Sequence, residues 1–225
     1  MKIRILPSLL AADMGHLADE AKRAEDAGAD EVHLDIMDGH FVPNISMGPA
    51  IVEMTRKAVG IPLNVHLMLS NPEQYLNTFV DAGADTLLIH IEAECNVPES
   101  LVRIRELGAK PGITLNPDTS AHMVAPVLEI ADEVLCMTVR PGYGGQAFMA
   151  EVLSTIKTVR DLSQKAEKNE MEIMVDGGIN VETAVRCAQH GANAFVAGTS
   201  LFKADDMKSE IESMRTAAND ALFSN

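Results

Sequence analysis

A four-residue word recurs along the chain and constrains its fold more than any other feature. Its copies are Ala27-Gly28-Ala29-Asp30, Ala82-Gly83-Ala84-Asp85, Leu107-Gly108-Ala109-Lys110 and His190-Gly191-Ala192-Asn193. Each follows a helical pattern and precedes an apolar run. Glycine is the preferred residue where a helix stops in a left-handed turn, so each copy is expected to end a helix and feed the next strand. Strand-like runs are read at residues 3–9, 31–36, 63–68, 86–90, 110–114, 133–138, 172–175 and 194–197. Helical patterns between them include residues 17–27, 72–82, 147–168 and 181–190. Eight alternations in 225 residues favour an α/β chain forming a single (β/α)8 TIM barrel, with residues 1–225 as one catalytic domain. An open doubly wound sheet would want a glycine-rich turn after its first strand, and Pro7-Ser8-Leu9-Leu10 supplies none.

Composition narrows the partners. Lys and Arg number 18 against 33 Asp and Glu, a formal charge of −15 that repels nucleic acid and anionic membrane surfaces. Neither is expected as a partner. A small phosphate is still accessible, because backbone amides at helix starts and glycine turns hold anions without a basic patch. The three cysteines, Cys95, Cys136 and Cys187, lack C-x-x-C spacing, which argues against a disulfide framework or a structural zinc and fits a reducing cytoplasm. Residues 3–12 contain Pro7 and run into Asp13, so they read as a first strand rather than a signal peptide or membrane span. The sequence leaves room for a homo-oligomer without indicating one.

In a barrel of this kind the reactive groups belong at the C-terminal strand ends, and strand side chains alternate between the interior and the helix layer. Period two puts His33, Asp35 and Met37 on one face of the second strand and the aliphatic Val32, Leu34 and Ile36 on the other. The polar face must point inward. The third strand likewise aligns Asn64, His66 and Met68, and the seventh ends at Asp176. His33, Asp35, His66 and Asp176 are therefore expected to converge. Two imidazoles and two carboxylates suit one divalent ion per chain, zinc, iron(II), manganese or cobalt, without choosing among them. Buried apart, the same groups would be costly, whereas a lone histidine in a strand is ordinarily a satisfied core residue. Met37, Met68 and Met137 read either as core packing or as an apolar substrate lining that excludes water.

Three glycine-rich turns follow late strands: Pro141-Gly142-Tyr143-Gly144-Gly145-Gln146, Asp176-Gly177-Gly178 and Gly198-Thr199-Ser200. Singly each is a plain tight turn. In this order they form a candidate phosphate cradle of Gly142, Tyr143, Gly144, Gly145, Gly177, Gly178, Gly198, Thr199 and Ser200, since the ends of the seventh and eighth strands are the recurrent phosphate position of the fold.

The run from His33 to Asn44, with Val65-His66-Leu67-Met68, the 141–146 loop and Val175-Asp176-Gly177-Gly178, resembles the ribulose-phosphate 3-epimerase family over nearly the whole chain. The resemblance implies a metal-dependent isomerase of carbohydrate metabolism that interconverts D-ribulose 5-phosphate and D-xylulose 5-phosphate in the pentose phosphate pathway. It places the metal on His33, Asp35, His66 and Asp176, the acid-base pair on Asp35 and Asp176, and the substrate against Ser8 and His66. The chain departs from the family pattern at Arg140, Ala11, Tyr143 and Thr199, of which Arg140 bears most on substrate choice. D-allulose 6-phosphate is the nearest rival substrate. A barrel carboxy-lyase acting on a sugar phosphate would be revealed by carbon dioxide release, and a non-catalytic sugar-phosphate binder by metal content without turnover. A Schiff-base aldolase needs a lysine at a strand's C-terminal end, and Lys110 opens its strand instead. His90 and Glu92, near the end of the fourth strand, read equally as support for a ligand or as purely structural.

Overall fold

The computed structural model describes residues 1–223, so the last two residues of the expected 1–225 domain lie outside it. Its strands are β1 (Arg4–Pro7), β2 (Val32–Met37), β3 (Leu63–Met68), β4 (Thr86–His90), β5 (Lys110–Leu115), β6 (Glu133–Met137), β7 (Glu172–Asp176) and β8 (Ala194–Ala197). The helices are α1 (Leu17–Asp26), α2 (Pro49–Ala58), α3 (Leu76–Asp81), α4 (Val97–Glu106), α5 (Leu153–Lys165), α6 (Val181–Ala188), α7 (Thr199–Phe202) and α8 (Met207–Phe223). The strands pair in parallel in the order β1-β8-β7-β6-β5-β4-β3-β2. A single parallel bridge between Ser8 and His33 spans the seam between β1 and β2. The result is a nearly closed (β/α)8 barrel whose seam falls beside the candidate ligands.

The recurring word does two jobs. Gly28, Gly83, Gly108 and Gly191 take φ of 91°, 109°, 93° and 102°, the left-handed region that a side chain resists. The following alanine amides reach back to the carbonyls of Ala24, Phe79, Ile104 and Cys187 at 3.1, 3.1, 3.2 and 3.1 Å, closing four Schellman-type helix ends. The fourth letter then braces the sheet. Asp30, Asp85 and Asn193 each turn a side-chain oxygen to the amide of an adjoining strand, Ile5 at 3.0 Å, Leu63 at 2.8 Å and Ile173 at 2.9 Å. Lys110, with no oxygen on its side chain, cannot do this.

Two helical segments differ from expectation. The patterns at 72–82 and 147–168 each begin in a 3-10 turn, Pro72–Gln74 and Ala150–Val152, before α3 and α5 start. Between β5 and β6 the connection is a 3-10 stretch, Ala121–Val127, rather than an α-helix. Pro126 lies inside it and lacks the amide that a longer helix would need.

Outward faces of the strands, such as Val32, Leu34, Ile36, Val65 and Leu67, pack against the helix layer. Inside the barrel Leu6, Leu88, Leu135, Met174, Ala194 and Val196 form a separate apolar plug. Beneath it, at the N-terminal strand ends, Arg4 pairs with Glu31 and with Glu172, whose Oε2 lies 3.1 Å from Nε. Burial first, and then neighbouring carboxylates, push Glu133 up to about 8, so Glu133 carries a proton there at neutral pH.

Gly112 shows how tightly the plug is fitted. A Cβ built on it would stand 2.2 Å from Leu88 Cδ2, so the missing side chain is the space that Leu88 occupies. Gly112→Ala is expected to destabilise the protein by about 1–3 kcal/mol through overpacking. Adding Leu88→Ala should then cost less than the roughly 2–5 kcal/mol expected of Leu88→Ala alone. Urea unfolding of the two single variants and the double variant measures that coupling, and strict additivity would contradict it.

Candidate active site

The inward faces of β2 and β3 deliver the candidate ligands side by side. The parallel register sets His33 opposite Asn64 and Asp35 opposite His66, and Asp176 ends β7 opposite Met137. One ligand atom from each of His33, Asp35, His66 and Asp176 lies within 4.8 Å of the others. His33 Nε2 is 3.4 Å and His66 Nδ1 3.3 Å from Asp35 Oδ1. Those separations match the edge, about 3.4 Å, of a tetrahedron drawn with metal–ligand bonds of ~2.1 Å.

The hydrogen bonds around this group aim its ring nitrogens at the same point. His33 Nδ1 donates to Asn64 Oδ1 at 2.9 Å, and the Asn64 amide donates to Glu133 Oε2 at 2.9 Å. His33 Nε2 is buried without a hydrogen-bond partner, the orphaned atom that a bound cation would satisfy. Ser8 Oγ donates to Asp35 Oδ2 at 2.6 Å. The cluster is thus able to hold a metal ion, and the donor set is nitrogen and oxygen without sulfur.

Its electrostatics divide the two aspartates. Burial opposes a charge on Asp35, but the His33 and His66 imidazoles overcome it and hold the carboxyl far below the usual carboxylate range. Burial and the adjacent Asp35 charge push Asp176 the other way, up to about 7, with His33 only partly offsetting them. Burial also works against a charged His33, but the Asp35 charge outweighs it, so His33 keeps its proton more firmly than a free imidazole. Burial drives His66 down to about 4 and lowers His90 as well, so both are neutral at pH 7. One carboxylate is therefore charged beside one that holds a proton.

Above the cluster opens a cavity of about 430 Å³ lined by Ser8, Asp35, Asp176, the three methionines Met37, Met68 and Met137, and all three glycine turns. Met37 and Met68 pack with Val42 from the 38–44 loop, whereas Met137 joins the barrel plug. The loop is built by Asp38, whose Oδ1 accepts the amides of His40 and Phe41, each at 2.8 Å. Asn44 ties it to the first glycine turn by donating to the Gly142 carbonyl at 2.7 Å.

Some candidate phosphate contacts are committed elsewhere. Tyr143 lines the cavity, yet its hydroxyl donates to the Pro43 carbonyl at 2.7 Å and its side chain is largely exposed. Ser200 Oγ donates to the Ile179 carbonyl at 2.7 Å. Those two hydroxyl groups are thus engaged within the protein. Gly177 and Gly178 have φ of 121° and 65°, and a Cβ on Gly177 would meet Val139 Cγ2 at 2.4 Å, so that turn admits only glycine. Arg140 points away from the cavity into an ion pair with Asp118 at 2.6 Å. Leu10, Val139, Asn180 and Thr183 also line the cavity, and the sequence reading missed them because each comes from a loop or helix start with no strand periodicity to place it.

A second carboxylate cluster brings one oxygen from each of Glu31, Glu133 and Glu172 within 4.8 Å of the others. Arg4 already sits in it.

Likeness to known proteins extends over nearly the whole chain. The family model described as ribulose-phosphate 3 epimerase family matches residues 4–202. A ribulose-phosphate 3-epimerase of Bacillus subtilis is 44% identical over 213 residues, covering 95% of this chain and 98% of that protein. Another, from Methanocaldococcus jannaschii, is 42% identical over 222 residues, covering 98% and 93%. Among solved structures, KGPDC from Streptococcus mutans superposes with a TM-score of 0.72 at 13% identity, covering 98% of this chain and 99% of that one. The 3-hexulose-6-phosphate synthase from Salmonella typhimurium gives 0.69 at 16% identity, covering 97% and 100%. At such identities these two structures show the fold alone.

A cation entering the cluster must displace the proton on His33, and Asp176 ligates it more weakly through one oxygen while the other holds a proton. Metal affinity is therefore expected to fall as pH drops below about 7, where Asp176 becomes protonated, by about tenfold or more per pH unit. Chelator competition across that range measures it. An affinity independent of pH would show that the proton is not where the geometry puts it.

Proposed function

The chain belongs to the ribulose-phosphate 3-epimerase family, and from that premise we propose the chemistry of its site. It is an enzyme, a carbohydrate isomerase that interconverts D-ribulose 5-phosphate and D-xylulose 5-phosphate by moving a proton at C3 through an enediolate. One observation carries the assignment of residues: Asp35 and Asp176 share one cavity, the first held charged and the second held protonated. Inverting a carbon by proton transfer requires a base on one face and an acid on the other, with the roles exchanged in the reverse direction.

In our reading Asp35 removes the C3 proton while Asp176 delivers one to the opposite face. The Ser8 hydroxyl, 2.6 Å from Asp35 Oδ2, orients that carboxylate. Met37, Met68 and Met137 form an apolar wall that keeps water from the carbanion-like carbon. The phosphate would rest on the amides of the turns at Gly142–Gly145, Gly177–Gly178 and Gly198–Ser200, where α7 opens with amides that have no upstream carbonyl to bond. Held there, the far end of the substrate fixes C3 between the carboxyls. When bound by His33, Asp35, His66 and Asp176, a zinc, iron(II), manganese or cobalt ion supplies Lewis-acid stabilisation of the negative charge growing on the substrate oxygens.

One barrel would carry the whole reaction, and no helix among the described residues is long and apolar enough to cross a membrane. Three free cysteines, two of them buried, support a reducing cytoplasm as its compartment. The formal charge of −15 supports a small anion rather than a nucleic acid as partner.

Incubation with ribulose 5-phosphate in deuterated water should place label at C3, and faster than with allulose 6-phosphate. Asp176→Asn is expected to lower kcat by roughly 10²–10⁴-fold with an unchanged circular dichroism spectrum. A folded variant with near-native turnover would remove Asp176 from the mechanism.

A further inference from the structure

Behind His66, on the side away from the cavity, runs a chain of polar groups that the mechanism above leaves unused. His66 Nε2 lies 2.8 Å from His90 Nε2, and the rings stack with centroids 5.0 Å apart at 22°. His90 Nδ1 lies 3.1 Å from Glu92 Oε2. The other Glu92 oxygen, Oε1, accepts the Asn116 amide at 2.9 Å and the Thr119 hydroxyl. Both imidazoles are completely buried, so no water can substitute for a missing partner.

Two carboxylates face this chain, Asp35 at His66 Nδ1 and Glu92 at His90 Nδ1, and once a cation occupies Asp35 and His66 Nδ1 only one direction remains. A carboxylate accepts and never donates, so His90 must carry its hydrogen on Nδ1. A neutral His90 then presents a lone pair at Nε2, and the close contact between the two Nε2 atoms requires His66 to be the donor. With its hydrogen on Nε2, His66 has its lone pair on Nδ1. Nδ1 is the nitrogen 3.3 Å from Asp35 Oδ1, facing the other ligand atoms.

We propose that His90 and Glu92 are positioning residues that act through His66, fixing the tautomer whose Nδ1 coordinates the divalent ion. The inference rests on the metal reading of the cluster. Reversing the proton order would put a hydrogen on His66 Nδ1, aimed at the cation, and binding would then have to rearrange two buried rings.

Glu92→Gln should cause that reversal. Its carbonyl oxygen stays on the Asn116 amide and the Thr119 hydroxyl, which both need an acceptor, so its NH2 faces His90 Nδ1. His90 then carries its hydrogen on Nε2 and donates to His66, leaving His66 protonated on Nδ1. Nitrogen-15 spectra of the full chain should show His66 protonated on Nε2 and His90 on Nδ1 in the zinc-loaded native protein, and His66 protonated on Nδ1 in the metal-free variant. Cobalt(II) affinity, read by chelator competition, should fall by about 10–100-fold, the range typical of losing a partner of a metal-bound histidine. A merely structural role would lower the melting temperature and leave both readouts unchanged. His90→Phe, which removes the acceptor while keeping a ring, gives a second arm should Glu92→Gln fail to fold, and the same loss of cobalt affinity is expected. A zinc-loaded native protein with His90 protonated on Nε2 and not on Nδ1, or variants binding cobalt as tightly as the native chain, would overturn the inference alone. A native chain that binds no cobalt would overturn the metal reading along with it.

Discussion

A charged carboxylate inside a barrel of aliphatic side chains is the constraint from which the site follows. Left alone, Asp35 would cost several kcal/mol to bury in its ionised form. The fold meets that cost with the Ser8 hydroxyl at 2.6 Å and with His33 and His66 at 3.4 and 3.3 Å, one from its own strand and one from the next. Once Asp35 is held charged, a second carboxyl a few ångströms away cannot ionise cheaply, and Asp176 retains its proton. One charged and one protonated carboxyl of the same residue type thus arise from one asymmetry, both imidazoles contacting Asp35 while His33 only partly offsets the rise of Asp176.

The barrel supplies this asymmetry through register. Parallel pairing sets Asp35 beside His66 across β2 and β3, while Asp176 arrives from β7 on the other side of the interior. Loops rather than strands close the cavity above. The 38–44 loop is shaped by the Asp38 carboxylate and latched to the first glycine turn through Asn44, so two separate loops are held in one frame. Such a frame is compatible with a local anion site on a chain of formal charge −15, since amide dipoles act at contact range while the surface's net charge is screened at longer range.

Much of this was legible in the sequence because it depends on short-range rules. The glycine of the recurring word forecast four helix ends, and all four take the left-handed turn. Period two sufficed to put His33, Asp35 and His66 on inward faces, which is why the four possible ligands could be grouped before any coordinates. What stayed hidden depends on contacts between distant segments. Nothing near Tyr143 signals that its hydroxyl is held by Pro43, a hundred residues away, and nothing near Asn64 signals that it bridges His33 to Glu133. The bracing role of Asp30, Asp85 and Asn193 was likewise invisible, because the word's last letter acts on a neighbouring strand and not on its own helix. Pro126 stood in plain view, yet only the packing around it decides whether a proline ends a helix or sits in a 3-10 connection.

The two ends of the barrel interior hold similar charges and resolve them differently. At the floor, Arg4 gives Glu31 and Glu172 a permanent guanidinium, and Glu133 sheds its charge by protonation. At the mouth the positive partner is the His33 imidazole, which carries charge only while protonated and can exchange that proton for a metal ion. A guanidinium cannot make this exchange, since it does not lose its proton in a protein. The mouth also opens on a cavity of about 430 Å³, whereas the apolar layer of Leu6, Leu88, Leu135 and Met174 seals the floor from it. Asn64 joins the two ends, its amide held by Glu133 below and its carbonyl accepting from His33 above. The lower cluster therefore sets the orientation of His33 in the upper one, so carboxylates brace the barrel at one end and stand among possible metal ligands at the other.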